Sequence, residues 1–252
     1  MPVRIGTAGP ASTTVTTVPL TSQAILNAFV IALLTPVAQD PLGMRPGTDA
    51  DDDPQDCRRG GKGWFDPTDV DSANGNRAVK ADGCLDSEVV KNGTGTNATD
   101  RPPGYWARAT AGWLGLSPDR AINNCHLIGK DLGGSGSDLR NLATCSRQAN
   151  VKVRGCGEIT DHMRSYEKRI RGAVNAGQIV RYTVEPEYYG NRTVPTAFTL
   201  KARGWNRNGV PGIRIDAIAP NSIYSPRLDH WRNLGLFIET GTSNPIPTGG
   251  MP

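Results

Sequence analysis

Paired cysteines at metal-ligand spacing are missing from this sequence. Its five cysteines (Cys57, Cys84, Cys125, Cys145 and Cys156) form no C-x-x-C pair, which argues against a zinc knuckle and a thioredoxin-like redox site. Histidine is scarce, with three in 252 residues. No apolar run reaches membrane-spanning length. The longest, AILNAFVIALL at 24–34, is well short of the roughly 20 residues a bilayer crossing needs, so stable membrane insertion is not expected. That run reads either as a signal-peptide core, with TPVAQD after it, or as a short buried or amphipathic helix. Only Arg4 supplies positive charge upstream, and Pro36 interrupts the small-residue cleavage pattern. There is no internal repeat. The aspartate-rich stretches 39–56 and 66–76 do not match an EF-hand loop, because Ala73 falls where a ligand is needed. They read as solvated acidic loops.

What is present is a soluble composition, 37% hydrophobic, with 30 glycines and 19 prolines that imply long loops. The net charge of +4 is unevenly spread. Residues 1–100 carry 8 Lys/Arg against 13 Asp/Glu, residues 101–171 carry 12 against 6, and residues 172–252 carry 8 against 5. A basic excess centred on 101–171 attracts polyanions, nucleic acid above all, since neutralised phosphates release condensed counterions.

Patterning divides the chain into a flexible Thr/Pro-rich leader with its apolar segment (1–50) and an acidic, loop-rich stretch that is part of the core or decorates it (51–104). A folded domain (105–239) and a tail without core residues (240–252) follow. YWARATAGWL (105–114) suggests a strand or a bent amphipathic piece closed by a turn at SPDR. CHLIG (125–129) is strand-like and runs into glycines at 133, 134 and 136. Leu139, Leu142, Ala143 and Ala149 predict a short helix over 139–153. DHMRSYEKRIRGAVNAG (161–177) is the clearest helix, capped by Asp161, with Met163, Ile170 and Val174 on one face and a stop at Gly177. Three alternating strands follow at 178–188, 196–205 and 212–221, the first two as an antiparallel hairpin.

Chemistry concentrates in NNCHLIGKDLGGSGSDLRNLATCSRQANV (123–151). His126 titrates near neutrality in its ordinary state and suits general-base work. Asn141 and Asn150 lie 15 and 24 residues downstream. On one unbroken helix they would be about 13.5 Å apart, too far to hold a single small ion, so one can be a ligand while the other braces the loop. An asparagine carbonyl is a hard oxygen donor suited to Mg²⁺, which needs few protein ligands. Glu167 and Arg171, four apart on the next helix, share a face, either as a surface ion pair or as cleft-lining groups.

These motifs together resemble the DNA/RNA non-specific endonucleases of the ββα-metal (His-Me finger) superfamily, in particular the bacterial secreted or toxin-associated DNases. Carrying the resemblance are the Cys-His-Leu-Ile run, the L-G-G-S-G loop, the D-x-x-N-L step and the A-N asparagine, continuing through 163–204 and 212–221. It implies an α+β fold: an antiparallel sheet with a ββα-metal motif and flanking helices. It also implies His126 as general base, Asn150 as ligand of Mg²⁺ (or Mn²⁺), and Asn141, Glu167 and Arg171 in the catalytic group. Arg140, Arg147 and Lys130 are then the candidates for substrate contact, with DNA, and RNA alongside it, as substrate. An exported protein would favour disulfides, and Cys125 with Cys145 and Cys57 with Cys84 are the candidate pairs by position. A toxin would have an immunity or inhibitor protein as partner. The departure from the pattern is Asn124, where the motif usually carries arginine. That substitution supports the alternative of a catalytically impaired nucleic-acid-binding domain.

Overall fold

The computed structural model describes residue 57 and residues 63–91, 95–105, 111–112, 114–153 and 161–237. The leader with its apolar segment, the tail, and most of the stretch 105–114 lie outside the described residues. Among the described residues no helix is long and apolar enough to cross a membrane.

The elements in chain order are β1 (Trp64–Phe65), β2 (Ala81–Leu85), α1 (Ser87–Lys91), α2 (Pro118–Ala121), β3 (Ile122–His126), β4 (Leu142–Ser146), α3 (Arg147–Asn150), α4 (Met163–Asn175), β5 (Ile179–Glu187), β6 (Ala197–Trp205), β7 (Pro211–Pro220), β8 (Ser222–Ser225), β9 (His230–Asn233) and α5 (Leu234–Phe237). Five strands make an antiparallel sheet in the order β1-β2-β5-β6-β7. The acidic stretch thus contributes two strands to the sheet itself. Beside the sheet stand the β3–β4 hairpin, continued by α3 as a ββα unit, and the β8–β9 hairpin. The architecture is α+β, with the ββα unit set beside an antiparallel sheet.

The periodic segments fold as their patterns dictate. Along β5, inward residues alternate with outward ones from Val180 to Pro186, and β5 pairs with β6 in register from Ile179↔Trp205 to Glu187↔Ala197. The helix α4 buries Met163, Tyr166, Ile170 and Val174, the i, i+3, i+7, i+11 stripe of a half-buried helix. This stripe joins Val180, Tyr182, Val184, Leu200, Ala202 and Ile215 of the sheet in one core, where each fully buried large apolar side chain contributes about 1.5–3 kcal/mol. The cap of α4 differs from expectation. His162 occupies the N-cap, its Nδ1 accepting from the Ser165 N–H at 3.1 Å, while Asp161 accepts from the Tyr166 hydroxyl at 2.6 Å.

A larger correction concerns 139–153. The chain is not a helix there: a short 3₁₀ turn at Leu139–Asn141 leads into strand β4, and only Arg147–Asn150 is helical. Every residue of β4 is buried, so no alternation betrays a strand. Ser146 starts the helix instead, its Oγ accepting from the Ala149 N–H at 3.0 Å. Buried Asn221 locks this hairpin onto the rest of the fold. Its Oδ1 accepts from the Ser146 N–H at 2.8 Å, and its Nδ2 donates to Pro195 O at 2.7 Å and Thr144 O at 3.3 Å. Disulfides join Cys125 to Cys145 across β3 and β4 and Cys57 to Cys84 on β2. By loop closure each contributes about 3 kcal/mol, the bridged residues being 20 and 27 apart.

Candidate active site

The β3–β4 register runs from Ile122↔Ser146 to His126↔Leu142. His126 therefore ends one strand, and Asn150 sits one helical turn beyond the end of the other. Both line a cleft of about 400 Å³, together with Asn97, Asn123, Asn124, Lys130, Asp131, Arg147, Arg164 and Glu167.

His126 is half-buried, and its Nε2 lies 2.9 Å from the Thr96 carbonyl oxygen. A carbonyl oxygen only accepts, so Nε2 carries the proton and Nδ1 keeps the lone pair. Burial holds the imidazole below its ordinary 6.5; the Thr96 bond opposes this, and the positive charge of Lys130 adds to it. The ring is thereby kept in its basic, neutral form through a wider range of pH.

Thr96 belongs to a strap, Gly95–Asp100, lashed to the glycine loop. Its N–H donates to Gly134 O at 3.2 Å and its Oγ1 accepts from the Gly136 N–H at 2.8 Å; the Thr99 N–H donates to Gly136 O at 2.8 Å. Close approach explains Gly136, where a Cβ would fall 2.0 Å from the Asn97 carbonyl oxygen. Asn124, in the place of the usual arginine, also serves this strap: its Nδ2 donates to Asp100 O at 2.8 Å.

The asparagines separate cleanly. Buried Asn141 donates from Nδ2 to Ile128 O (3.1 Å) and Ser135 O (3.0 Å), while its Oδ1 accepts from the Ile128 N–H (3.0 Å). Committed to the backbone in this way, it braces the glycine loop that follows His126. Asn150 instead lines the cleft, its Nδ2 donating at 3.4 Å to Asn123 Oδ1. That bond turns the Asn150 Oδ1 into the free end of the amide. Asn150 fits a hard divalent cation that keeps most of its water. Among the described residues no cluster of three His, Cys, Asp or Glu offers a softer, fully protein-ligated site.

Glu167 reaches the cleft from α4, its Oε1 accepting from the Gly129 N–H at 2.8 Å. Burial pushes its carboxyl up to about 7; the Gly129 bond and Arg164 oppose this, and Asp131 adds to it. The neutral form is thus favoured by the fold, and stability is lost as the group ionises between its ordinary 4.5 and about 7. Glu167→Gln should accordingly raise the melting temperature at pH 8, with the gain shrinking at pH 5. Equal melting temperatures at pH 8 would refute that cost.

Two basic candidates do not reach the cleft lining. Arg140 forks onto Asp138, with Nη2 to Oδ2 at 2.8 Å and Nε to both oxygens at 3.1 Å, and its Nη1 also lies 3.8 Å from Asp69. Its guanidinium is committed to bracing the loop. Arg171 lies 3.7 Å from Asp131 and is absent from the lining; Arg164, three residues before Glu167 on the same helix face, stands there instead. Lys130 and Arg147 do line the cleft, Lys130 donating to Asn97 Oδ1 at 2.8 Å. The strap residues Thr96 and Asn97 had no signal in the sequence; Arg164 had one, in its i−3 spacing from Glu167.

Comparison with solved structures returned NucA from Streptococcus agalactiae with no metal bound (19% identity, covering 70% of this chain and 81% of that one, TM-score 0.49). It also returned NucA from the same organism with a magnesium ion bound (20%, 70% and 80%, 0.48) and the Sda1 nuclease with bound zinc ion (17%, 64% and 76%, 0.48). No curated protein sequence matched. The sequence profile of the DNA/RNA non-specific endonucleases matches residues 62–205. That span is more than half of the chain and takes in the Thr96 strap, the His126 strand, the glycine loop, Asn150 and the Glu167 helix, which makes this chain a member of the DNA/RNA non-specific endonuclease family.

Proposed function

We propose that this nuclease-family protein is an exported, divalent-metal-dependent endonuclease that hydrolyses phosphodiester bonds of DNA, and of RNA, without regard to base sequence. The observation that carries the reading is the His126 Nε2–H bond to the Thr96 carbonyl, which leaves Nδ1 as a base in the cleft that Asn150 lines. His126 Nδ1 takes the proton from a water molecule; the water oxygen bonds to phosphorus and the bond to the 3′ oxygen breaks. Mg²⁺ or Mn²⁺, held by Asn150 Oδ1 and otherwise by water, would supply positive charge to the phosphate and to the departing oxygen. Lys130, Arg147 and Arg164 offset charge on the substrate backbone, and contacts of that kind position a strand without reading its bases. Glu167 holds the Gly129 backbone at the point where the chain leaves the His126 strand. Two disulfides are consistent with an oxidising, extracellular destination.

The test is incubation of the purified chain with supercoiled plasmid and with folded RNA, with Mg²⁺ and with EDTA. Degradation to a smear with Mg²⁺ and none with EDTA is expected. Retarded but uncut bands under every divalent ion would instead make the protein a binder without catalysis.

A further inference from the structure

The proposed substrate is a polyanion, yet the cleft lining sets three carboxylic side chains (Asp119, Asp131 and Glu167) beside three cationic ones (Lys130, Arg147 and Arg164). Asp131 is the one whose geometry accounts for its presence. It lies in the 3₁₀ turn Lys130–Leu132, and its single Oδ2 faces Arg164 at 3.3 Å and Arg171 at 3.7 Å. Both guanidinium groups project from the same face of α4, seven residues apart.

This arrangement is loose. Charge-assisted N–H···O bonds close to about 2.7–2.9 Å, and the chain builds one of that kind just beyond the glycine loop, in the fork of Arg140 on Asp138 at 2.8 Å. At Asp131 one oxygen is shared between two cations at longer range. The side chains are 39% exposed for Asp131, 47% for Arg164 and 50% for Arg171. Ion pairs in water are worth about 0–1 kcal/mol, so this one exchanges readily for a better acceptor. A phosphodiester, with two non-bridging oxygens, is such an acceptor for an arginine fork.

We propose that Asp131 is a resident counter-anion that holds Arg164 in the cleft lining, with Arg171 behind it, and yields them to a backbone phosphate, thereby setting how tightly nucleic acid is held and released. This rests on the nucleic-acid reading of the cleft. In the free protein Asp131 keeps the two arginines from collapsing elsewhere; in the complex it is the competitor that the phosphate displaces.

The experiment measures binding of a labelled DNA duplex by fluorescence anisotropy in EDTA for the wild type, Asp131→Asn, Arg164→Gln and the double variant. At about 0.05 M salt Asp131→Asn should bind about three- to ten-fold tighter. Its KM for cleavage should fall by a similar factor, and the difference should vanish near about 0.5 M salt. Arg164→Gln should bind more weakly, and the double variant should lose the gain. Unchanged or weaker binding by Asp131→Asn, or a gain that survives Arg164→Gln, overturns the proposal. Tight wild-type binding with either result leaves the nuclease reading standing; no binding by the wild type overturns the proposal, and the nuclease reading falls with it only if plasmid also survives in Mg²⁺.

Discussion

His126→Ala should lower metal-dependent plasmid hydrolysis by about 10²–10⁴-fold, the usual contribution of a positioned general base, with the fold intact by circular dichroism and melting temperature. The imidazole makes one hydrogen bond, to the Thr96 carbonyl, and is only half-buried, so its loss removes the base without opening the core. The Cys125–Cys145 bridge and Asn221 continue to hold the hairpin. Full activity in His126→Ala would remove this residue from the mechanism. The pH profile gives an independent check. The base must be neutral, and burial holds His126 below its ordinary 6.5. The acid limb of kcat/KM, which reports the free enzyme, should therefore fall below 6.5. It should stay there in Glu167→Gln, whose amide oxygen can still accept from the Gly129 N–H. A limb near 7 in the wild type that disappears in that variant would assign it to the carboxylate instead.

How much of this was legible in the sequence depended on whether the information was local. The helix α4 buries every third or fourth residue and the strands β5 and β6 every second, while β7 alternates exposed positions with less exposed ones from Arg214 to Ala219, so periodicity located them. Strand β4 defeated the same reading because Leu142–Ser146 is enclosed on both faces, and a short, wholly buried run carries no period. Within the site, His126 and Asn150 stood at motif spacing. Spacing left the choice between Asn141 and Asn150 open and the family resemblance assigned the ligand to Asn150; the structure adds that the Asn141 amide is committed to three backbone bonds. Thr96 was invisible for a different reason: it acts through a backbone carbonyl 30 residues from His126, a group every residue possesses. Arg171 was chosen over Arg164 by its i+4 spacing from Glu167. Both lie on one helix face, and which of them overlooks the cleft is set by how α4 rests on the sheet, a tertiary fact.

Gly134→Ala and Gly172→Ala, the same chemical change, should have opposite signs. At Gly134 an added Cβ would lie 1.6 Å from the Ile128 carbonyl oxygen, 2.7 Å from its carbon and 2.9 Å from Asn141 Nδ2. Two of those atoms are backbone and cannot swing aside. Relief requires the loop to open, which breaks the hydrogen bonds of Asn141 to Ile128 and Ser135 and draws Gly134 O from the Thr96 N–H. Overpacking costs about 1–3 kcal/mol, and each buried polar group left unsatisfied costs about 1–3 kcal/mol more. A loss of roughly 3 kcal/mol or more is expected in urea melts, and activity should fall further than stability because the strap that fixes the His126 tautomer moves too. Gly172 lies on the exposed face of helix α4 with nothing within 4 Å of its would-be Cβ. There alanine removes backbone freedom from the unfolded chain and should stabilise by about 0.5–1 kcal/mol, leaving cleavage unchanged. A neutral Gly134→Ala would mean that the glycine loop has room the geometry denies it. Its tie to His126 would then have to be given up.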